Sequence, residues 1–124
     1  MYLPNLKSAN PVRRYRIGNF MATLLSDCQT TDDQVEYAHA LVIYQLTGES
    51  QTAKPALVIS SETNPSARKE GYYFLCSFVH THRNYGASQD WGDLGKFETA
   101  ALQLAGQLLQ VKDAPEVLAD HHAH

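Results

Sequence analysis

Cysteine is scarce in this chain. Cys28 and Cys76 are the only two in 124 residues, and no Cys-x-x-Cys occurs. That excludes a disulfide framework. Cys76 lies inside an apolar run and is expected to be a buried, structural thiol. Charge of one sign is scarce too. A net charge of −3 and an isoelectric point near 6.0 give no long-range field to gather nucleic acid or an anionic membrane. A local basic patch remains compatible with that balance. No apolar stretch reaches the ~18 residues that a membrane span needs. The first residues, "MYLPNLKSANP", hold no continuous apolar segment of the signal-peptide kind, so a cytoplasmic protein is expected.

Several catalytic signatures are also missing. No Gly-x-Ser-x-Gly elbow accompanies Ser60 or Ser61. The fragments "GNF" and "GDLG" are too short for a phosphate-binding loop. Asp27, Asp32 and Asp33 cluster as turn residues, without the alternating register of a calcium loop. There is no internal repeat and no low-complexity block.

Composition otherwise describes one ordinary globular domain. Hydrophobic residues make up 44% and charged residues 19%, enough apolar material to build a core without staples. Residues 1–11 read as an extended polar arm, 12–111 as a single α+β domain, and 112–124 as a polar, weakly ordered tail with the histidine-rich end "HHAH". Four apolar runs lie within the domain: Tyr15–Leu25, Val35–Leu46, Pro55–Ser61 and Tyr72–His82. They are rich in Val, Ile, Tyr, Phe and Thr and are bounded by Gly, Pro, Asn or Asp, which favours strands. The short polar spacers favour antiparallel pairing, since a parallel pair needs a long crossover. Leu94, Phe97, Ala101, Leu104, Leu108 and Val111 then recur at 3, 4, 3, 4 and 3, one helical stripe. Asp90 or Asp93 is placed to cap its start.

The expected fold is therefore α+β: a four-stranded antiparallel sheet followed by one C-terminal amphipathic helix, β-β-β-β-α. This arrangement resembles that of the Whirly-type single-strand DNA binders at the level of architecture only. Both faces of the strands are apolar: Tyr72, Phe74, Cys76 and Phe78 alternate with Tyr73, Leu75 and Val79. One helix covers one face. The other calls for a second subunit, so a homodimer is expected.

Three constellations carry candidate chemistry. In "VHTHR", His80 and His82 on one strand would project from one face about 6–7 Å apart. Two imidazoles at that spacing can share a metal with a third ligand, for which His39, Asp90, Asp93, Glu62 and Cys76 are the candidates. A His-x-His pair alone lacks the further ligands of metalloenzyme motifs, and it continues an apolar face. Packing is therefore its expected role, with no metal or cofactor. In "HRNYGASQDWGDL", Arg83 and the helix start could hold an anion, but Asp90 and Asp93 occupy the same end and would repel it. In "RRYR", Arg13, Arg14, Arg16 and Tyr15 suit phosphate contact and stacking on single-stranded nucleic acid, or protect an edge strand by charge.

The expected function is that of a small non-enzymatic homodimeric binding protein, its partner single-stranded nucleic acid or another protein. The alternative is a ligand-binding protein or enzyme, metal-dependent in one version. Its pocket would lie between sheet and helix, lined by His80, His82, Arg83 and Tyr85 together with His39.

Overall fold

A computed structural model of the chain describes residues 6–30, 36–47, 50–51, 54–63, 72–78 and 81–120. Among the described residues, eight strands and one long helix follow in order. They are β1 (Leu6–Ile17), β2 (Phe20–Thr30), β3 (Glu36–Thr47), β4 (Ser50–Gln51), β5 (Leu57–Thr63), β6 (Tyr73–Phe78), β7 (His82–Ser88), α1 (Leu94–Leu109) and β8 (Glu116–Asp120). A 3-10 turn, Gln89–Gly92, links β7 to α1. Seven strands form one antiparallel path, β7-β6-β5-β3-β2-β1-β8, and the two-residue β4 pairs with β3.

The four-stranded expectation is thus wrong, for physical reasons that differ from strand to strand. The run Tyr15–Leu25 is not one strand. It reverses at Gly18–Asn19, where Gly18 takes φ +58°. A two-residue hairpin turn with glycine first has its positive φ at that position, which other residues adopt at a cost. The polar residues Leu6–Pro11, read as an arm, are the start of β1. The polar segment His82–Ser88 is an edge strand, its side chains almost all exposed. Within the tail, Glu116–Asp120 returns after the helix to pair with β1. The helix is therefore not the last element, and the likeness to the Whirly arrangement does not hold.

The helix itself matches its pattern. Asp93 caps it, the carboxylate accepting from the Lys96 amide at 2.9 Å. Its buried side chains are Phe97, Ala101 and Ala105. They pack on Tyr15, Ile17, Leu24, Leu41, Ile43, Leu57, Ile59 and Leu75, which form the larger core. The 3-10 turn is pinned to the same face of the sheet. His39 Nε2 donates to the Gly92 carbonyl at 2.9 Å, Ser61 Oγ donates to the Trp91 carbonyl, and the His39 ring lies 5.6 Å from that of Phe97.

The opposite face holds a second cluster of Cys28, Tyr37, Ala40, Val58, Cys76 and Phe78. A register shift between Tyr37 and His39 moves Tyr37 onto this face, out of phase with Leu41 and Ile43. Ala40, Cys76 and Phe78 are fully buried and Val58 is 2% exposed, all within a single chain. The open apolar face that called for a second subunit is already closed, so the dimer loses the observation that motivated it. No helix among the described residues is long and apolar enough to cross a membrane.

Candidate metal centre

Glu62, Cys76 and His82 come from three neighbouring strands and meet on the face opposite the helix. Glu62 is the one carboxylate in "LVISSET", a strand buried from end to end. Alternation puts it on the side of Val58 and Ser60. Ser60 stands opposite Cys76, and Cys76 stands opposite Asn84 across the β6–β7 hairpin. His82 is the first residue of β7 and pairs with Phe78, against which its ring lies tilted by 49°, the centroids 4.8 Å apart. Glu62 and His82 are thus diagonal partners across β6. In a flat sheet strands two apart lie about 9–10 Å from each other. Opposite Phe74 and Phe78, the two are also offset along β6, and their long side chains reach across Cys76 to meet.

The three ligand atoms lie within 4.8 Å of one another. His82 Nε2 is 2.8 Å from Glu62 Oε1, and Ser60 Oγ donates to Glu62 Oε2 at 3.0 Å. The Cys76 sulfur lies within 4.8 Å of the same carboxylate. Glu62, its side chain only 11% exposed, is therefore held by two donors, Ser60 and His82, whereas His82 at 37% reaches solvent. A buried carboxylate without such partners would be costly. Burial first, and then the Glu62 charge and hydrogen bond, push the Cys76 thiol well above its ordinary value. Cys76 is fully buried as well, so it is a protonated thiol here and not a free nucleophile.

Cys28 lies elsewhere in the same layer. Burial, and next the charge of Asp27, push its thiol up to about 12. Both thiols should therefore resist an aromatic disulfide reagent at pH 8 while the chain is folded, and two should react in denaturant; rapid labelling of either in the native protein would contradict their burial. The linkage has a definite sign. Thiols raised in the fold add stability that is fully present below the unfolded value near 8.5, and it is lost as pH climbs toward the folded values.

The other sequence-predicted residues are dispersed. His80 lies outside the described residues. The strand on which it was paired with His82 ends at Phe78, and His82 belongs to the next one. His39 sits on the helix face, bound to Gly92 and packed on Phe97, and cannot join His82. Arg83 is exposed opposite Ser77, one residue out of phase with His82, so it faces away from Glu62. The Tyr85 hydroxyl is 2.9 Å from Ser77 Oγ. Among the described residues, His39 on the helix face and His82, Arg83 and Tyr85 on the edge strand β7 do not line one pocket between sheet and helix. Asp90 pairs with Lys96, and Asp93 is a cap.

The basic cluster divides in the same way. Arg13 is ion-paired to Glu98 at 2.9 Å and to Asp120 at 3.2 Å. Tyr15 is 4% exposed and its hydroxyl donates to Glu98. Only Arg14 and Arg16 remain exposed to solvent.

Glu62 and Cys76 stood among the possible third ligands in the sequence, attached to a His80–His82 pair of which only His82 is among the described residues. The signal that could have ranked Glu62 first was a lone acid inside a strand of otherwise apolar and hydroxyl residues. Comparison with protein-family models, with curated proteins and with solved structures returns no match.

Proposed function

We propose that this chain is a metal-binding protein. It takes one zinc-class divalent ion between the Cys76 thiolate, the His82 imidazole and a Glu62 carboxylate oxygen. The observation that carries this reading is the convergence of the three ligand atoms within 4.8 Å. Around a tetrahedral zinc ion, ligand atoms stand roughly 3.3–3.8 Å apart, given bonds of about 2.0–2.3 Å. The His82–Glu62 pair, now at 2.8 Å, thus has to open slightly, and any atom out toward the 4.8 Å limit has to move in.

The donor set argues for the ion's class. Thiolate and imidazole suit zinc and its neighbours, whereas magnesium and calcium demand an oxygen cage. Two anionic ligands against a +2 ion leave a neutral site, which suits a buried position. Three protein ligands leave one position, and the exposed edge of His82 is where water or a small substrate would reach it. That open position supports a ligand-binding or enzymatic role, on the face opposite the helix and not beneath it.

The test is elemental analysis after zinc loading and desalting. The protein should carry no purification tag and should end at Asp120. This removes His121, His122 and His124, which could chelate adventitiously, and keeps β8 on the sheet. About one zinc per chain is expected, falling below a tenth in Cys76→Ser and in His82→Ala. Wild-type protein that keeps no metal, or variants that keep it unchanged, would overturn the reading.

A further inference from the structure

We propose that Ser60 sets the metal selectivity of the site by holding Glu62 to a single coordinating oxygen. The proposal rests on the metal-binding reading above and deepens it. Ser60 is fully buried on β5, with Ala40 opposite it on one side and Cys76 on the other, both fully buried as well. A hydroxyl in that position costs stability unless it finds a partner. Its partner is Glu62, two residues along on the same face.

The two oxygens of Glu62 are divided between different neighbours. Oε2 accepts from Ser60 at 3.0 Å, and Oε1 lies 2.8 Å from His82 Nε2. An ion drawn to His82 and Cys76 therefore meets Oε1. To chelate through both oxygens, the carboxylate would have to abandon Ser60 in a place where no water replaces it. Monodentate binding keeps the protein ligands at three and favours the four-coordinate geometry that zinc prefers. Larger or harder ions that want six or more ligands, such as manganese and calcium, are disfavoured. Ser60 touches no ion itself. It is a positioning residue, acting through Glu62.

The test compares wild type, Ser60→Ala and Ser60→Thr by cobalt(II) absorption and by competition with a chelator for zinc. Wild type and Ser60→Thr should give the intense visible bands of four-coordinate cobalt with a thiolate charge-transfer band. In Ser60→Ala the visible bands should weaken severalfold while the thiolate band persists, as the carboxylate becomes bidentate. Zinc affinity should fall about 10–100-fold, the usual loss when a ligand's hydrogen-bond partner is removed, and the preference for zinc over manganese should narrow. A Ser60→Ala spectrum and affinity like the wild type's would overturn the proposal and leave the metal site standing. So would loss of fold in Ser60→Ala by circular dichroism, or Ser60→Thr behaving like Ser60→Ala, since either makes Ser60 a packing residue. No cobalt bands in the wild type would instead sink the metal-binding reading itself, and this inference with it.

Discussion

Zinc at a thousandfold excess over its dissociation constant is expected to raise the unfolding midpoint of this protein by roughly 15 °C. A ligand that binds only the native state stabilises it by about 4 kcal/mol at that ratio. For a domain of this size each kcal/mol moves the midpoint by roughly 3–5 °C. The gain is large because the three ligands are distant in sequence, so an unfolded chain offers no comparable site. Cys76→Ser should abolish the shift while leaving the metal-free midpoint within a few degrees of the wild type's. The effect should also depend on pH with a fixed sign. The Cys76 thiol sits above its ordinary value, so it is protonated at neutral pH and the ion must displace that proton. Zinc affinity should therefore weaken about tenfold for each unit of falling pH. Differential scanning calorimetry at constant free zinc, at pH 8 and pH 6.5, measures both effects. An equal shift in Cys76→Ser would place the ion elsewhere.

The elements that could be read from sequence are those whose side chains report their surroundings. The stripe through Phe97 and Ala101 marks α1 because one face packs and the other does not. Val42, Val58 and Phe74 mark β3, β5 and β6 because both faces of those strands are buried. Backbone pairing leaves no such trace. In β7, "HRNYGAS" is a strand because its amides and carbonyls complete the edge of β6. Its exposed side chains are free to be polar, and Gly86 at φ +114° lies in the bulged stretch opposite Leu75. The same holds for "EVLAD" in β8, where Val117 and Leu118 stay exposed.

The candidate site was obscured by a related error. Placing His80 and His82 on one strand assumed that the apolar run continued through "VHTH", whereas the chain has reversed before His82. Once β7 folds back along β6, the partner of His82 is set by the strand register and is a glutamate 20 residues away. No spacing rule reaches that far.

Glu98→Ala is expected to destabilise the fold by about 2 kcal/mol, the scale of losing charged hydrogen bonds and leaving a buried hydroxyl without a partner. Glu98 projects from α1 and accepts from Arg13 and from the Tyr15 hydroxyl, both on β1, while Arg13 also reaches Asp120 on β8. One carboxylate thus joins the helix, the sheet and the strand that follows the helix. Removing it leaves the Arg13 guanidinium, 24% exposed, with Asp120 alone, and orphans the hydroxyl of a tyrosine that is 4% exposed. Glu98→Gln keeps an acceptor of the same shape and should cost only about half as much, because hydrogen bonds to a neutral group are weaker. Arg14→Ala with Arg16→Ala, on the exposed positions of the same strand, should stay within about 0.5 kcal/mol of wild type. Chemical denaturation of the four proteins makes the comparison. If Glu98→Ala were no worse than the double arginine variant, the contacts around Glu98 would be surface decoration, and Arg13 would again be available for a partner. If the predicted order holds, half of "RRYR" is committed to joining β1 to the helix, and only Arg14 and Arg16 are left to meet anything outside the chain.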